Sequence, residues 1–288
     1  MNNKNCKDIL DEIRSNLDET GITSGKWSDT EIVRVINNVK NHYVNLINTI
    51  NSTINGRSST ITYVSGTELY DLPGDLDSIT RVELVSNSEK VEQIDIDEKE
   101  QVRSDSTVID SIVDSSPSYY IWGSQIGLVN ITGNVKIYYI KRIPDLHYGT
   151  AVTGGSTTTL IFDATPNGSS SGDYTVKRID DYYIGAYIDM YYGTGSPQTV
   201  KITDYTGSTR TATFATASAH DTTTLYAIQY DLPSEIDLCI ILQATILLCP
   251  KDGKSTADFK DTLAKQERMM IDGLSVSKER KHVKYVEC

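Results

Sequence analysis

The side chains with the greatest potential for chemistry are four aspartates in the second half of the chain. Asp180, Asp181, Asp189 and Asp204 lie among many tyrosines, and carboxylates beside aromatic rings are typical of proteins that bind or cleave sugars. A glycosidase needs two carboxylates at a set separation in a cleft. Because Asp180 and Asp181 are adjacent, on a strand they would point to opposite faces. The aspartates therefore do not define a catalytic pair.

A nucleophilic triad and a metal site are the other chemistries that the residue types allow. His220-Asp221 has no serine at a specific spacing, because serines are abundant throughout the chain. Asp95-Ile96-Asp97 lacks the glycine turn and the terminal glutamate of a calcium loop. His42 has no partner at metal-ligand spacing. We expect no catalytic residue, no metal and no cofactor, and we predict that the protein is not an enzyme.

Composition narrows the possible partners. The 288 residues carry a formal net charge of −12, which argues against a surface that grips nucleic acid or an anionic membrane. An acidic wall could still let DNA slide past, because like charges repel phosphate. The chain contains 18 Tyr and 3 Phe, and tyrosine suits half-buried positions on sheets and interfaces. This favours an assembly protein or exposed sheet faces.

The cysteines and the apolar segments indicate a cytoplasmic origin. Cys6, Cys239, Cys249 and Cys288 form no CxxC pair, which predicts reduced thiols. The N-terminus has no apolar signal core. The apolar stretch from Cys239 to Cys249 is much shorter than the roughly 20 residues of a membrane span. We expect a soluble protein that is not exported by itself.

Helical patterns occur at both ends of the chain. Near the N-terminus, Ser28 and Glu31 form a capping box that opens a helix. Its predicted buried stripe is Ile32, Ile36, Val39, Tyr43, Leu46 and Ile50, and its predicted solvated face is Asn37, Asn38, Asn41, Asn45 and Asn48. Near the C-terminus, one helix is apolar nearly all round and ends at Pro250, which predicts a buried helix. In the last helix, capped by Ser255, we expect Phe259, Leu263, Gln266 and Met270 to face inward and Gly273 to end the helix.

Strand patterns fill the middle of the chain. Alternating residues predict strands at 61–64, 78–85, 126–129 and 135–142. From 149 to 227 the composition changes to Thr, Gly, Ser and Tyr, with short alternating runs typical of an antiparallel sheet. Within this segment, Asp204-Tyr205-Thr206-Gly207 predicts a tight turn with glycine at positive φ.

Several motifs occur in an order that is specific. WSDTEIVRVINNVKNHY is followed by YDLPGDLDSITRVEL, then by PSYYIWGSQIGLVN and VKIYYIKRIPDL. In this order they resemble the head-to-tail adaptor (head-completion) family of tailed bacteriophages. The resemblance covers roughly residues 5–146 and 229–273. The segment 149–227 departs from it, because many adaptors lack such an insertion; it is similar to a β module of phage virion proteins.

The resemblance implies a fold and a domain organisation. The expected class is α+β, with a four-helix core, a small β-sheet or hairpin, and an inserted all-β domain of barrel or sandwich type. The expected divisions are 1–148 with 228–273 for the helical core, 149–227 for the inserted domain, and 274–288 for an extended C-terminal tail.

The resemblance also implies a mechanical function at the head-tail junction of the virion, after synthesis in the host bacterial cytoplasm. Copies would form a homo-oligomeric ring, a dodecamer, between the portal protein and the downstream tail or nozzle proteins. Double-stranded DNA would pass through its channel without sequence-specific binding, and no membrane is involved. The basic residues of the tail, Lys278, Arg280, Lys281 and Lys284, would contact the portal. The alternative is a virion accessory protein that binds carbohydrate or the host surface through the β insertion.

Overall fold

The fold is α+β. The computed structural model of the protein describes residues 4–19, 26–98, 116–167, 176–253 and 255–283. These ranges contain four α-helices, fourteen strands and a large antiparallel sheet. No helix in them is both long and apolar enough to cross a membrane.

Contacts within the chain divide it into two compact units. One, here called the helix–sheet unit, comprises Met1–Ile54 and Ile143–Cys288, and the other, the middle unit, comprises Asn55–Arg142. This differs from the predicted division, which separated 149–227 from the helices and grouped 55–142 with them. The difference has a physical cause, because 149–227 shares a hydrophobic core with the helices whereas 55–142 has a core of its own.

The helices belong to the helix–sheet unit. They are α1 (Cys6–Asn16), α2 (Asp29–Asn51), α3 (Glu235–Leu248) and α4 (Ala257–Val283), with a 3₁₀ turn at Cys249–Asp252. The predicted capping box of α2 is confirmed, since the Glu31 amide donates to Ser28 Oγ at 3.2 Å and the Ser28 amide donates to Glu31 Oε2 at 3.0 Å. Helix α3 is mostly buried as predicted, although Leu238 and Leu247 are exposed.

Helix α4 is longer than its sequence pattern predicted. Gly273 was expected to end the helix, and 274–288 to form an extended tail, but α4 continues to Val283. The reason is that the apolar stripe does not stop at the glycine. Leu274 is buried in the same core as Leu263 and Met270, so the turn that contains Gly273 is held by packing on both sides. A glycine ends a helix only where it takes the left-handed conformation.

The described part of the middle unit, residues 55–98 and 116–142, contains seven strands in two sheets. The strands are β1 (Gly56–Ile61), β2 (Leu69–Asp71), β3 (Leu76–Leu84), β4 (Glu92–Gln93), β5 (Ser118–Trp122), β6 (Gln125–Val129) and β7 (Val135–Lys141). The sheet orders are β1-β7-β3 and β2-β6-β5-β4, and apolar residues of both sheets form one core. The alternation predicted at 135–142 is observed, because every second side chain of β7 is buried.

The sheet of the helix–sheet unit closes on itself. Its strands are β8 (Tyr148–Thr150), β9 (Val152–Ser156), β10 (Thr159–Ile161), β11 (Tyr187–Tyr192), β12 (Gln198–Thr206), β13 (Thr211–Phe214) and β14 (Leu225–Gln229), in the order β8-β14-β11-β12-β13-β10-β9. The two edge strands, β8 and β9, are successive in the chain and separated only by Ala151. One bent strand therefore joins both edges of the sheet.

The core of this unit is shared by helices and sheet. Buried residues of all four helices and of the closed sheet belong to one cluster. A core made of four helices alone is therefore not confirmed.

Tyrosines of the closed sheet and its connections follow the expected half-buried pattern only in part: Tyr148, Tyr187 and Tyr191 are half-buried, but others are fully buried. Tyr183, Tyr205 and Tyr226 are at most 1% exposed. Phe162 stacks on Tyr226 and Tyr205 at centroid distances of 5.1 and 5.6 Å. Their hydroxyl groups bond to the backbone, as in the 2.7 Å bond from Tyr205 to the Lys177 carbonyl. Tyrosine can be fully buried here because each hydroxyl has a backbone partner.

The predicted turn at Asp204–Gly207 was placed too early. Strand β12 runs through Thr206, and the residue with positive φ is Arg210, at 58°. Gly207 has a different role: a Cβ there would lie 2.4 Å from the backbone carbon of Arg178. Its amide donates to Asp180 Oδ1 at 2.7 Å. The glycine is needed for close approach between two chain segments, which a sequence pattern does not reveal.

Candidate assembly site

The C-terminal helix α4 is the element on which the predicted assembly residues lie. Its inner side carries Leu263, Met270 and Leu274 in the core, with Phe259 packed against it. The predicted inward face is therefore confirmed for Phe259, Leu263 and Met270. A polar contact adds to the packing, since Tyr43 of helix α2 donates to Glu267 Oε1 at 2.7 Å. Burial and this bond raise the pKa of Tyr43 well above its usual value, so the hydroxyl stays protonated.

The four predicted portal-contacting residues lie at the end of this helix or beyond it. Lys278, Arg280 and Lys281 belong to α4, four to seven residues after the buried Leu274. Lys284 lies outside the described residues. The structure therefore brings three of the four onto one helix whose preceding turns are fixed in a core.

Helix α2 positions both α4 and the start of the closed sheet. Asn37, predicted to be solvated, is 3% exposed. Its Nδ2 donates to the Leu146 carbonyl at 2.9 Å, and its Oδ1 accepts from the Leu146 amide at 2.7 Å. A side-chain amide can pair with a backbone peptide unit in this way because it has both a donor and an acceptor. Asn37 thus fixes the segment just before β8.

Lys40, one turn further along α2, completes this attachment. Its side chain is fully buried, and Nζ donates to the carbonyls of Ile143 and Pro144 at 3.2 and 2.6 Å. Nζ also lies 3.5 Å from the Asp145 carboxylate. Burial lowers the pKa of Lys40 to about 8, against the opposing effect of Asp145. A buried ammonium is tolerated here because all three of its hydrogens have acceptors.

His147 follows this segment and is enclosed by aromatic rings. It lies edge-on to Phe162, Tyr183 and Tyr226 at centroid distances of 4.9, 5.3 and 5.7 Å. Within the part of the chain that the structure describes, neither ring nitrogen meets a side-chain or backbone partner at hydrogen-bond geometry. Burial lowers the pKa of His147 to about 3, although Asp145 acts in the opposite direction. The imidazole is therefore neutral at physiological pH and serves as part of the core.

A second polar network holds the start of α2 against α1 and the closed sheet. Arg14 Nη1 bonds to Glu19 Oε2 at 2.9 Å, and Nη2 bonds to the Trp27 carbonyl at 2.9 Å and to Asp29. The other oxygen of Asp29 accepts from the Tyr148 hydroxyl in β8. Neither Arg14 nor Asp29 was singled out from sequence, because the pairing joins residues distant in the chain.

Asp180 and Asp189, two of the aspartates considered for sugar chemistry, accept hydrogen bonds from residues distant in the chain. Asp189 accepts from Asn5 Nδ2 at 2.6 Å and so ties the N-terminus to β11. Asp180 Oδ1 accepts a hydrogen bond from the Gly207 amide. Asp181 has φ of 63° and lies in a turn rather than on a strand. Asp221 accepts from Thr223 and Thr194, which lowers its pKa. Among the described residues no group of three or more His, Cys, Asp or Glu side chains is arranged to hold a metal.

A comparison with models of known protein families identifies the family of this chain. A family model described as SU10 adaptor protein matches residues 4–186. Because the match spans more than half of the chain, the protein belongs to the SU10 adaptor protein family, whose members are structural adaptors of bacteriophages. No curated protein sequence matches the chain. The family match includes strands β8–β10 within the predicted insertion and ends before β11, so α3 and α4 lie outside it.

Proposed function

We propose that copies of this protein form a ring, a dodecamer, between the portal and the tail of the virion. The ring extends the DNA channel and offers a platform for downstream tail or nozzle proteins. The observation that carries the proposal is membership of the SU10 adaptor family over residues 4–186. The net charge of −12 supports it, because an acidic lumen repels DNA phosphates and lets the genome pass without trapping it.

We further propose that the end of helix α4 contacts the portal. The support is that its preceding turns are fixed by Leu263, Met270, Leu274 and the Tyr43–Glu267 bond, so the basic residues after Leu274 sit on a rigid base. Lys278, Arg280 and Lys281 would offer charge to an acidic portal surface, and Lys284 would extend this contact. A rigid base reduces the conformational entropy lost on docking.

Cross-linking mass spectrometry on purified virions tests this directly. We expect lysine-reactive cross-links from Lys278, Lys281 or Lys284 to the portal protein. Cross-links only to fibre or spike proteins would contradict the adaptor position, and absence of the protein from the particle would contradict the function itself.

A charge-reversal variant tests the role of the helix end. Changing Lys278, Arg280 and Lys281 to Glu should abolish assembly onto portal while leaving the helical circular dichroism spectrum unchanged. The matched control changes Lys260, Lys265 and Arg268 to Glu, since all three are exposed on the same helix before the basic segment. If the basic segment is deleted instead, the truncation should begin after Ser275, because Leu274 is part of the core. Equal assembly of both charge-reversal variants would refute the proposed contact.

We also propose that the protein is not an enzyme. The alternative function is binding of carbohydrate or the host surface through 149–227. The alternative must be tested on the whole chain, because a 149–227 fragment would cut through β8 and β14 and lose the helices that complete its core. A hydrolase assay on cell-wall polysaccharide tests for catalysis, and turnover would show that the protein is an enzyme.

A further inference from the structure

Trp122 is unusually exposed for its residue type. It lies at the end of strand β5 in the middle unit, and 57% of its surface is accessible. Its pairing with Gln125 leaves a two-residue turn of Gly123 and Ser124, in which Gly123 has φ of 61°. A glycine at positive φ in the first position of such a turn is typical of short, well-defined hairpins. Trp122 therefore lies at the end of a short hairpin with a defined backbone turn.

Trp122 and two polar residues form a row across three neighbouring strands, with one residue on each strand. Trp122 is directly opposite Gln125 of β6, and Gln125 is directly opposite Asp71 of β2. Directly opposed residues project from the same face of a sheet. The opposite face carries Tyr119, Ile126 and other core residues. On the face of the row, Trp122 and Asp71 are exposed, whereas Tyr120 and Val129 further along are buried. Gln125 Nε2 donates to Asp71 Oδ1 at 2.9 Å, which fixes the amide beside the carboxylate.

Tyr120 and Gly127 form the next opposed pair along the same face. A Cβ on Gly127 would lie 2.1 Å from Tyr120 Cζ, so the Tyr120 ring lies across strand β6 where the glycine leaves space. The Tyr120 hydroxyl donates to Glu68 Oε1 at 2.5 Å. Tyr120 is only 3% exposed. Among the described residues of this face, Trp122 is therefore the accessible aromatic ring, with the buried Tyr120 ring behind it and the polar Gln125 and Asp71 beside it.

We propose that Trp122, Gln125 and Asp71 form a binding subsite for a neutral pyranose ring of a glycan. The apolar C–H face of the sugar stacks on the indole, while its hydroxyl groups donate to Asp71 and exchange hydrogen bonds with Gln125. The carboxylate repels anionic sugars. A protein partner fits this row less well, because hot-spot aromatics sit within a larger apolar contact area and this row contains one apolar side chain among polar ones.

This subsite is separate from the proposed adaptor role, so either proposal can fail without the other. It also differs in place from the glycan-binding alternative considered for 149–227. We expect a dissociation constant in the millimolar range for a single sugar, because one exposed ring and two polar partners make few contacts.

Saturation-transfer NMR on the full chain tests the proposal. The probes are methyl β-D-galactoside, methyl α-D-glucoside, N-acetylglucosamine and the anionic methyl glucuronide. We expect transfer to the ring C–H protons of at least one neutral sugar, and at least threefold weaker binding of the glucuronide. Trp122→Ala should remove the transfer, and Gln125→Ala should weaken binding at least threefold. The matched control is Tyr192→Ala, which removes an aromatic residue that is 66% exposed elsewhere and should have no effect.

Tryptophan fluorescence provides a second measurement. The chain contains 2 Trp, so Trp27→Phe leaves Trp122 as the only emitter. The bound sugar should reduce acrylamide quenching at least twofold. No transfer from any neutral sugar, or transfer that survives Trp122→Ala, would overturn the proposal. Protection of Trp122 in assembled particles without any response to sugar would identify a protein contact instead, and would equally overturn it.

Discussion

His147 makes the stability of the helix–sheet unit depend on pH. Its neutral imidazole fills space between Phe162, Tyr183 and Tyr226, where burial disfavours a charged ring more than the nearby Asp145 favours it. Protonation must therefore oppose folding. Replacement of His147 by Phe removes the titrating group and keeps an aromatic ring in the cluster.

The magnitude follows from the difference between the two pKa values. The ordinary pKa is 6.5 and the folded value is about 3. Because the unfolded chain binds more protons than the folded chain in this window, stability falls as the pH is lowered from about 6.5 towards 3. The full loss is roughly 5 kcal/mol, of which about 2 kcal/mol is reached at pH 5. Below about pH 3 both states are protonated and the loss stops growing.

Urea unfolding at pH 7.5 and pH 5 measures this difference. A Trp122→Phe background leaves Trp27 as the reporter, and Trp27 packs against the core of the helix–sheet unit. The free energy of unfolding should fall by about 2 kcal/mol more in this background than in the same background with His147→Phe. A constant packing cost of the phenylalanine cancels, as do carboxylates such as Asp237 that titrate in both proteins. Equal losses in the two proteins would refute the reasoning.

Three further substitutions test other contacts. Lys40→Ala should lower the free energy of unfolding by about 3 to 5 kcal/mol, because it leaves two buried carbonyls without their donor and removes one of the two lysines beside Asp145. Lys26→Ala, at an exposed position, is the comparison for loss of a lysine, and a similar small change in both would contradict the buried role. Tyr43→Phe should cost about 1 to 2 kcal/mol and loosen α4, seen as faster amide exchange in that helix; unchanged exchange would show that packing alone holds it. Gly207→Ala should cost about 1 to 3 kcal/mol in thermal unfolding, since its Cβ would meet the Arg178 backbone, whereas Gly133→Ala, with open space around it, should change little. Equal effects at the two glycines would argue against the close approach.

Elements that depend on local periodicity were predicted well from sequence. The capping box of α2 and the inward residues Phe259, Leu263 and Met270 are observed, because both follow from the 3.6-residue repeat of a helix and from the needs of its first turn. The strand at 135–142 follows in the same way from its alternation. The match to the SU10 adaptor family likewise agrees with the order of motifs along the chain.

Residues whose role depends on distant neighbours were not predicted correctly. Asn37 was placed on a solvated face, but its amide pairs with Leu146 across 109 positions of the chain. Gly273 was read as a helix end, although Leu274 continues the buried stripe. Gly207 was assigned a positive φ, whereas it permits contact with Arg178. In each case the residue type allows several local conformations, and a partner elsewhere in the chain selects one.

The amino-acid sequence by itself determined the class of fold, the positions of the main helices and strands, the acidic charge and the family resemblance, because these depend on composition and on patterns within about ten residues. Only the tertiary structure decided that 149–227 shares its core with the helices, that one bent strand closes the sheet at Ala151, and that Lys40 and His147 are buried. Burial of a lysine or a histidine is favourable only where folding brings acceptors or aromatic rings around it. No local pattern encodes that environment.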